Sequence, residues 1–354
     1  MNTVSIPSSS TPLAAALRCL ADGTPLGADD TAAAFAVIMS GDATPAQTAA
    51  LLMGLRARGE SVEQVAGAAT ALRRAMLPLR TPASDRLVDT CGTGGGAVGT
   101  LNVSTAAAFI AAGAGVPVAK HGNRSYTSRC GSADVLEALG VDITLVPERA
   151  AAVLDSVGLV FLFAPTYHPA MRHVGPTRRE LGITTIMNLL GPLVNPAGVR
   201  RQVIGVADRA RAPLLAGAVR DLGATHALVV HAEIGMDEIS PRGSTAVWEV
   251  RDGMIGEWVL EPASVGLAVD DLGDLAGGEP AENAWRIERV LAGNGGPAAR
   301  AAVLLNAGAA LYVAGLGLSY ADAVNMAEGA LNDGRGAAVL DSLRRAAPRV
   351  STSG

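Results

Sequence analysis

The sequence predicts a small all-helical domain followed by a large α/β domain with a mostly parallel central sheet. The first eighty residues carry helix start and stop signals and no strand pattern, whereas short apolar runs alternate with helical stretches from Leu87 onward. The length of 354 residues agrees with two domains, because single hydrophobic cores usually stop growing at about 250 to 300 residues.

The amino-terminal helices are predicted from their caps. Thr11 and Pro12 form an N-cap followed by a first-turn proline, and Gly23 is a stop signal for the helix that they begin. TPAQ at Thr44 and SVEQ at Ser61 match the capping box, in which a hydroxyl and a glutamine side chain each bond to the other's backbone N–H. Four short helices are therefore expected before about residue 78.

The strand candidates of the second domain are RLVDTC, VPVAK, GLVFLF, RQVIGV and HALVVH. Helical stretches separate them, which predicts βαβ units around a parallel sheet. TAVWEVRDGMIGEWVLEP predicts a hairpin that turns at Asp252-Gly253. The expected boundaries are a disordered tail at 1–10, a helical domain at 11–80 with 168–197 packing back on it, an α/β domain at 85–167 and 198–345, and a tail at 346–354.

Composition excludes several classes of protein. A net charge of -5 gives no reason to expect a nucleic-acid partner. The three cysteines Cys19, Cys91 and Cys130 are odd in number and lack pairwise metal spacing, which fits a reducing cytoplasm. The amino terminus has neither the basic nor the apolar region of a signal peptide. The uncharged run 90–119 has the length of a membrane span, but its glycines and polar residues favour an interior α/β segment. We expect a cytoplasmic protein without a membrane partner.

The stretch DTCGTGGGAVGTLNVST, residues 89–105, places five glycines before a helix start and has no charge after its first residue. Glycines expose backbone N–H groups, and the helix start adds further free N–H groups, so this pattern favours a polyphosphate cradle. An ordinary strand-to-helix turn needs only one or two glycines. Gly94, Gly96 and Gly99 also match G-x-G-x-x-G, but dinucleotide binding requires a carboxylate about 20 residues later. Lys120 stands there instead.

Two further loops carry charged candidates. KHGNRSYTSRCGSAD contains Lys120, Arg124 and Arg129 and follows the next strand, so we expect it to face the glycine loop across a crevice as an anion site. A solvated basic surface is the alternative. VVHAEIGMDE places Asp237 and Glu238 after a strand, where they are candidate Mg²⁺ ligands or solvated surface acids.

These motifs together resemble those of the anthranilate phosphoribosyltransferase family. GTGG, NVSTA, KHGNR, GSADVLEALG, HPAMRHV, RRELG and NLLGPLVNPA appear in family order, with family-like spacing, between about Leu13 and about Leu343. The resemblance implies a homodimer formed through the helical parts. It also implies a reaction that joins anthranilate to phosphoribosyl pyrophosphate (PRPP), giving N-(5-phosphoribosyl)anthranilate and pyrophosphate, in the second step of tryptophan biosynthesis from chorismate.

The resemblance also implies site residues. Anthranilate would contact Gly92, Asn123 and Arg178, whose planar guanidinium suits a carboxylate. We assign no general acid or base, because anthranilate's amine is already a neutral nucleophile and catalysis rests on positioning and on stabilising the leaving pyrophosphate. The Mg²⁺ ligands would be Ser104, Asp237 and Glu238. The PRPP residues would be Gly92, Gly95, Gly96, Thr100, Asn102, Val103, Ser104, Thr105, Lys120, His121, Gly122, Asn123, Arg124, Ser125, Tyr126, Thr127, Ser128 and Ser132.

The chain departs from the family pattern at one position of the glycine loop. The family usually reads GTGGD and this chain reads GTGGG, so Gly96 stands where an aspartate would help hold a PRPP-bound Mg²⁺. We expect PRPP binding to persist with one metal position weakened or lost. Two alternatives remain: a pyrimidine nucleoside phosphorylase-like enzyme, whose chains usually carry a further carboxyl-terminal domain, and a catalytically silent PRPP-binding relative.

Overall fold

The computed structural model describes residues 11–125 and 129–349, and it confirms the predicted fold class. The chain forms two compact units, a helical unit of residues 11–76 and His168–Val194, and an α/β unit of the remaining described residues. Its α-helices are α1 (Pro12–Asp22), α2 (Ala28–Ser40), α3 (Pro45–Arg58), α4 (Val62–Ala75), α5 (Val103–Gly113), α6 (Ser132–Ala138), α7 (Pro147–Val157), α8 (Ala164–Tyr167), α9 (Gly175–Leu181), α10 (Met187–Leu190), α11 (Ala212–Asp221), α12 (Pro280–Leu291), α13 (Pro297–Val313), α14 (Tyr320–Asn332) and α15 (Arg335–Ala346).

The helical unit begins with the caps that its sequence predicts. Thr44 Oγ1 accepts a hydrogen bond from the N–H of Gln47 at 3.2 Å, and Gln47 Oε1 accepts one from the N–H of Thr44 at 3.0 Å. Ser61 and Gln64 repeat this reciprocal pair at the start of α4. Each box satisfies two of the N–H groups that a helix start leaves without partners. α1 ends at Gly23, which adopts a left-handed conformation with φ 80°.

The boundaries between the two units differ slightly from those expected. The residues that directly follow Met76 and Val194 belong to the α/β unit, where the N–H of Leu79 donates to the carbonyl of Pro196 at 2.9 Å. At the other end of the chain, the segment from 346 was expected to be a tail. Its described part is structured, because the N–H of Arg349 donates to the carbonyl of Gly140 at 3.0 Å.

A buried histidine makes the stability of the helical unit sensitive to acid. Burial lowers the pKa of His168 from 6.5 to about 4, against the opposing effect of a hydrogen bond with the backbone of Val194. Between these two values the unfolded chain binds a proton that the folded chain does not, so stability falls as pH decreases from about 6.5 to 4. The full effect is on the order of 3 kcal/mol.

We expect His168→Gln to remove this contribution. Its melting temperature, followed by differential scanning fluorimetry, should fall several degrees less than that of the wild type between pH 7 and pH 4.5. Parallel curves of melting temperature against pH for the two proteins would contradict the assignment. A comparison at pH 8, where the histidine is neutral in both states, gives the cost of the substitution itself.

The α/β unit is built on one seven-stranded sheet. The strand order is β3-β2-β1-β4-β5-β6-β7, in which β1 to β5 are parallel and β6 and β7 are antiparallel. The predicted hairpin joins β6 to β7 through Asp252 and Gly253, both with positive φ. The strands are β1 (Val88–Gly92), β2 (Val118–Gly122), β3 (Leu159–Phe163), β4 (Arg201–Gly205), β5 (His226–Ala232), β6 (Thr245–Arg251) and β7 (Met254–Leu260).

The uncharged run 90–119 belongs to this unit and, apart from its exposed glycine loop, lies in the interior, as predicted. It comprises the end of β1, the glycine loop, the helix α5 and the start of β2, and the residues of α5 from Thr105 to Ala111 are buried. α5 packs against α13 and α15. Within the described residues, no helix is both long enough and apolar enough to cross a bilayer.

Candidate active site

The five parallel strands end at one edge of the sheet, and the loops that follow β1, β2 and β5 carry predicted site residues. The strands β1, β2, β4 and β5 end at Gly92, Gly122, Gly205 and Ala232. The order in which strands are added to the sheet reverses between β1 and β4. β2 and β3 are added on one side of β1, and β4 and β5 on the other. Such a switch point opens a crevice at the carboxyl ends of the strands.

The glycine loop after β1 is open at its tip and fixed near its end. Gly94 and Gly95 have φ values of 69° and 84°, and a Cβ added at either residue would meet nothing within 4 Å. The N–H of Ala97 donates to the carbonyl of Gly235 at 2.9 Å, which holds the loop against the segment after β5. The tip therefore has the backbone freedom and the open space that a phosphate cradle needs.

The start of α5 connects the glycine loop to the loop after β2. Asn102 Nδ2 donates to the carbonyl of Cys130 at 3.1 Å, and its Oδ1 accepts from Asn283 Nδ2 at 3.0 Å. Val103 is fully buried in the core. Thr105 Oγ1 is buried and has no hydrogen-bond partner among the described residues. A buried hydroxyl in the first turn of α5 thus retains its bonding capacity for a ligand.

Ser104 and Glu238, two of the predicted metal ligands, are in contact. The N–H of Ser104 donates to Glu238 Oε1 at 3.3 Å, and Thr100 Oγ1 donates to Glu238 Oε2 at 3.0 Å. Lys120 Nζ donates to Ser104 Oγ at 3.2 Å and to the carbonyl of Thr90. The Lys120 side chain is buried, so its contact with the site is made through Ser104.

Asp237, the third predicted metal ligand, lies against the glycine loop. An added Cβ at Gly96 would lie 2.6 Å from Asp237 Oδ1, and one at Gly92 would lie 3.3 Å from Asp237 Oδ2. Burial raises the pKa of Asp237. Burial and then the charge of Asp237 raise the pKa of Glu238 to about 8. Two adjacent carboxyls in this environment favour a shared divalent cation, which stabilises both of their ionised forms.

The described residues supply only part of a metal coordination shell. Within 11–125 and 129–349, no three His, Cys, Asp or Glu side chains are grouped so that they could hold a metal ion. Mg²⁺ is usually bound by one or two carboxylates, with substrate phosphates and waters completing the octahedron. The two carboxylates and the hydroxyl of this site fit that mode of binding.

The loop after β2 is organised by its own ion pairs. Arg124 Nη1 contacts Asp134 Oδ1 at 2.9 Å and Glu137 Oε2 at 2.5 Å, and its guanidinium lies 5.6 Å from the Phe163 ring centre. Asp134 Oδ2 accepts from the N–H of Gly131 at 2.9 Å. Arg124 is therefore engaged with acids of α6 in this structure, whereas the sequence predicts it as a PRPP cation.

The other predicted residues of this loop lie close to the ends of β2 and α6. Ser132 Oγ donates to the carbonyl of Asn123 at 3.3 Å, and Asn123 Oδ1 accepts from the N–H of Arg124. His121 is buried, and its N–H donates to Asp89 Oδ1 of β1 at 3.2 Å. Gly122 and Ser125 are half-buried. The predicted PRPP residues Tyr126, Thr127 and Ser128 lie outside the described residues.

The predicted anthranilate residues belong to both units. In the α/β unit, Gly92 is the last residue of β1, and Asn123 directly follows β2. Arg178 lies in α9 of the helical unit and is half-buried, whereas its neighbour Arg179 is exposed.

Sequence reasoning missed two residues that position the acid pair. A Cβ at Gly205 would lie 1.5 Å from the carbonyl oxygen of Asp237, so only glycine lets the loop after β5 pass this close to β4. Asn306 of α13 accepts from the N–H of Ile239 and donates to its carbonyl, at 3.1 and 2.9 Å. The available signals were a glycine at the end of a strand and a lone asparagine in an apolar helix.

The chain matches family models over most of its length. The glycosyl transferase family helical bundle domain matches residues 14–76, and the a/b domain of the same family matches residues 84–337. The first match falls in the helical unit and the second covers the sheet and the candidate site.

Curated relatives and solved structures agree on one enzyme family. The chain is 50% identical to the anthranilate phosphoribosyltransferase of Rubrobacter xylanophilus over 339 residues, which is 96% of this chain and 98% of that protein. The crystal structure of the enzyme from Thermus thermophilus has a TM-score of 0.87 at 43% identity, over 93% of this chain and 99% of the other. The Saccharomyces cerevisiae enzyme in complex with PRPP and Mg has a TM-score of 0.86 at 28% identity, over 96% and 98%. The chain belongs to the anthranilate phosphoribosyltransferase family.

Proposed function

We infer that this chain transfers the phosphoribosyl group of PRPP to the amine of anthranilate, giving N-(5-phosphoribosyl)anthranilate and pyrophosphate in tryptophan biosynthesis. The observation that carries this inference is the meeting of the open glycine tip, the start of α5 and the pair Asp237 and Glu238 at one edge of the sheet. The identity of 50%, over nearly the full length, to the anthranilate phosphoribosyltransferase of Rubrobacter xylanophilus supports the same activity.

PRPP would be held mainly by backbone N–H groups and hydroxyls. The loop tip at Gly94 and Gly95 is open, since a Cβ added at either residue would meet nothing within 4 Å, so phosphate oxygens can approach its backbone. Thr105 Oγ1 offers a donor that no described residue uses. Pyrophosphate leaves the anomeric carbon as negative charge develops on it, so donors already in place before the reaction lower the barrier. The remaining PRPP residues implied by the family motifs stay part of this proposal.

Mg²⁺ would be held by Ser104, Asp237 and Glu238. When bound, it supplies positive charge that neutralises the diphosphate of PRPP. The hydroxyl and the two carboxylates are oxygen donors, as this hard cation prefers. The Saccharomyces cerevisiae relative is described in complex with PRPP and Mg, which supports the same cofactor for this chain.

Anthranilate would be held through its carboxylate by Arg178, with Asn123 and Gly92 as further contacts. Another solved structure of the Saccharomyces cerevisiae relative contains 4-fluoroanthranilate, which supports this substrate class. A bidentate guanidinium contact orients the ring, and it leaves the neutral amine free to attack the anomeric carbon. We also propose a homodimer formed through the helical parts, and a cytoplasmic location.

The decisive experiment follows anthranilate fluorescence with and without PRPP and Mg²⁺. Consumption that requires both supports the assigned activity. Turnover of thymidine with phosphate, without consumption of anthranilate, would assign the chain to the nucleoside phosphorylases instead. PRPP binding in calorimetry without any turnover would identify a catalytically silent relative.

The glycine at position 96, where the family pattern has an aspartate, predicts how activity depends on Mg²⁺. Restoring an acid with Gly96→Asp places a third carboxylate beside Asp237, since a Cβ at this position lies 2.6 Å from Asp237 Oδ1. Without a cation the two acids repel each other, so the loop must shift; with Mg²⁺ they are bridged. We therefore expect a steeper response of activity to Mg²⁺ in the variant than in the wild type.

A Mg²⁺ titration at fixed PRPP and anthranilate measures this response. Gly96→Asn is the control, because it adds almost the same volume without a charge. Coincident curves for Gly96→Asp and the wild type would refute the prediction, and an inactive wild type rescued by the aspartate would favour the silent relative.

A further inference from the structure

Three polar side chains are buried at the first two strands of the site. Asp89, Lys120 and Asn195 are 0%, 3% and 2% exposed. The family motifs assign Lys120 to PRPP but give no role to the other two. Burying an ammonium and a carboxylate is costly unless each is hydrogen-bonded and its charge is compensated. The arrangement of these three side chains therefore requires a reason.

Asn195 ties the first two strands of the site together. Its Nδ2 donates to Asp89 Oδ2 at 2.8 Å and to the carbonyl of Ala119 at 2.8 Å, and its Oδ1 accepts from the N–H of Ala197 at 2.8 Å. Asp89 Oδ1 accepts from the N–H of His121 at 3.2 Å. The carboxylate of β1 is thus held by an amide from one side and by β2 from the other.

Lys120 lies between the two residues of β2 that this pair holds, and its side chain reaches the substrate site. Its Nζ donates to Ser104 Oγ and to the carbonyl of Thr90. The carbonyl of Ala119 is held by Asn195 and the N–H of His121 by Asp89, so the backbone is bonded on both sides of Lys120. Asp89 and Asn195 therefore fix the segment of β2 from which the lysine reaches Ser104.

We propose that Asp89 and Asn195 are positioning residues for PRPP, which act by holding Lys120 against Ser104 at the start of α5. This proposal rests on the proposed function, because it assigns Ser104 to the substrate site. The lysine fixes the Ser104 hydroxyl oxygen from below, and the N–H of the same residue is fixed by Glu238. Without the Asp89 carboxylate, the His121 N–H and Asn195 Nδ2 lose their acceptor, and the position of Lys120 against Ser104 is no longer fixed.

Asp89→Asn tests the proposal, since it keeps the volume but replaces one of the two oxygens that accept from His121 and Asn195 with a donor. We expect KM for PRPP, and the Kd of PRPP with Mg²⁺ in calorimetry, to rise at least about tenfold, the size of effect typical for residues that orient a ligand-binding group. KM for anthranilate should change less than twofold. In a Lys120→Met background the same substitution should add little, because the two act through one contact.

Glu249→Gln is the matched control. Glu249 is a largely buried carboxylate of β6 that contacts His226, Trp258 and Tyr312 at 2.7 to 3.0 Å, in the same sheet and outside the site. It should lower the melting temperature and leave KM for PRPP unchanged. A wild-type KM for PRPP in Asp89→Asn, or an equal rise in Glu249→Gln, would overturn the proposal.

Two further measurements keep the test decisive. If Asp89→Asn does not fold, Asn195→Ala is measured in the same way, and a wild-type Kd for PRPP in that variant refutes the positioning role. The calorimetric Kd does not depend on turnover. A wild type that binds PRPP without consuming anthranilate would therefore refute the proposed function alone and leave the positioning role open to the same comparison.

Discussion

Changing Asp237 to Asn and Glu238 to Gln together is expected to lower kcat/KM for PRPP at least about 100-fold, because even outer-shell partners of a metal are typically worth 10- to 100-fold. The substitutions keep the volumes of both side chains and remove both charges. Glu238 also accepts hydrogen bonds from Thr100 and the N–H of Ser104, so its loss affects the start of α5 directly. The apparent Mg²⁺ requirement should rise in parallel.

Initial rates across a Mg²⁺ series at several PRPP concentrations measure both effects. Glu233→Gln is the control, because Glu233 is an exposed acid of the same loop whose carboxylate accepts a hydrogen bond from Ser244 Oγ at 3.0 Å. An unchanged Mg²⁺ dependence in the double variant would show that the pair does not hold the metal.

Arg178→Ala is expected to lower kcat/KM for anthranilate by about 10- to 150-fold, which corresponds to the 1.5 to 3 kcal/mol of a hydrogen bond to a charged group. The physical reason is the loss of a bidentate contact to the substrate carboxylate. PRPP binding should barely change, because the residues proposed to hold its phosphates lie at the sheet edge of the α/β unit.

Arg179→Ala is the matched control for this measurement. It removes the same guanidinium from the next residue of α9, which is exposed where Arg178 is half-buried. Equal losses in the two variants would show that a diffuse positive charge is sufficient. A loss confined to Arg179→Ala would exchange the two assignments.

The order of helices and strands was readable from local chemistry. The capping boxes at Thr44 and Ser61, the stop at Gly23 and the hairpin turn at Asp252 and Gly253 depend on residues within a few positions of one another. Local hydrogen bonds and φ preferences decide such features, and neither requires knowledge of the rest of the fold. The helical unit ends at Met76, before the expected residue 80, and the bond of Leu79 to the distant Pro196 shows why local patterns do not set this boundary.

The candidate site was predictable only as far as residue types carry chemistry. Five glycines before a helix start and two adjacent acids indicate a polyphosphate and a cation in any fold that brings them together. Arg124 shows the limit of this reasoning. A cation in a basic loop suggests an anion site, but the acids that pair with Arg124 lie one helix further along the chain, on α6.

The sequence by itself determined the fold class, the family motifs and the set of groups that could bind PRPP, because these depend on periodicity, turn chemistry and residue type. Only the tertiary structure decided which groups are buried and which atoms meet. Asp89 and Asn195 are 106 positions apart, and Gly205 contacts Asp237 across a loop. Such contacts arise from the parallel pairing of strands that are far apart in the chain, which no local pattern encodes.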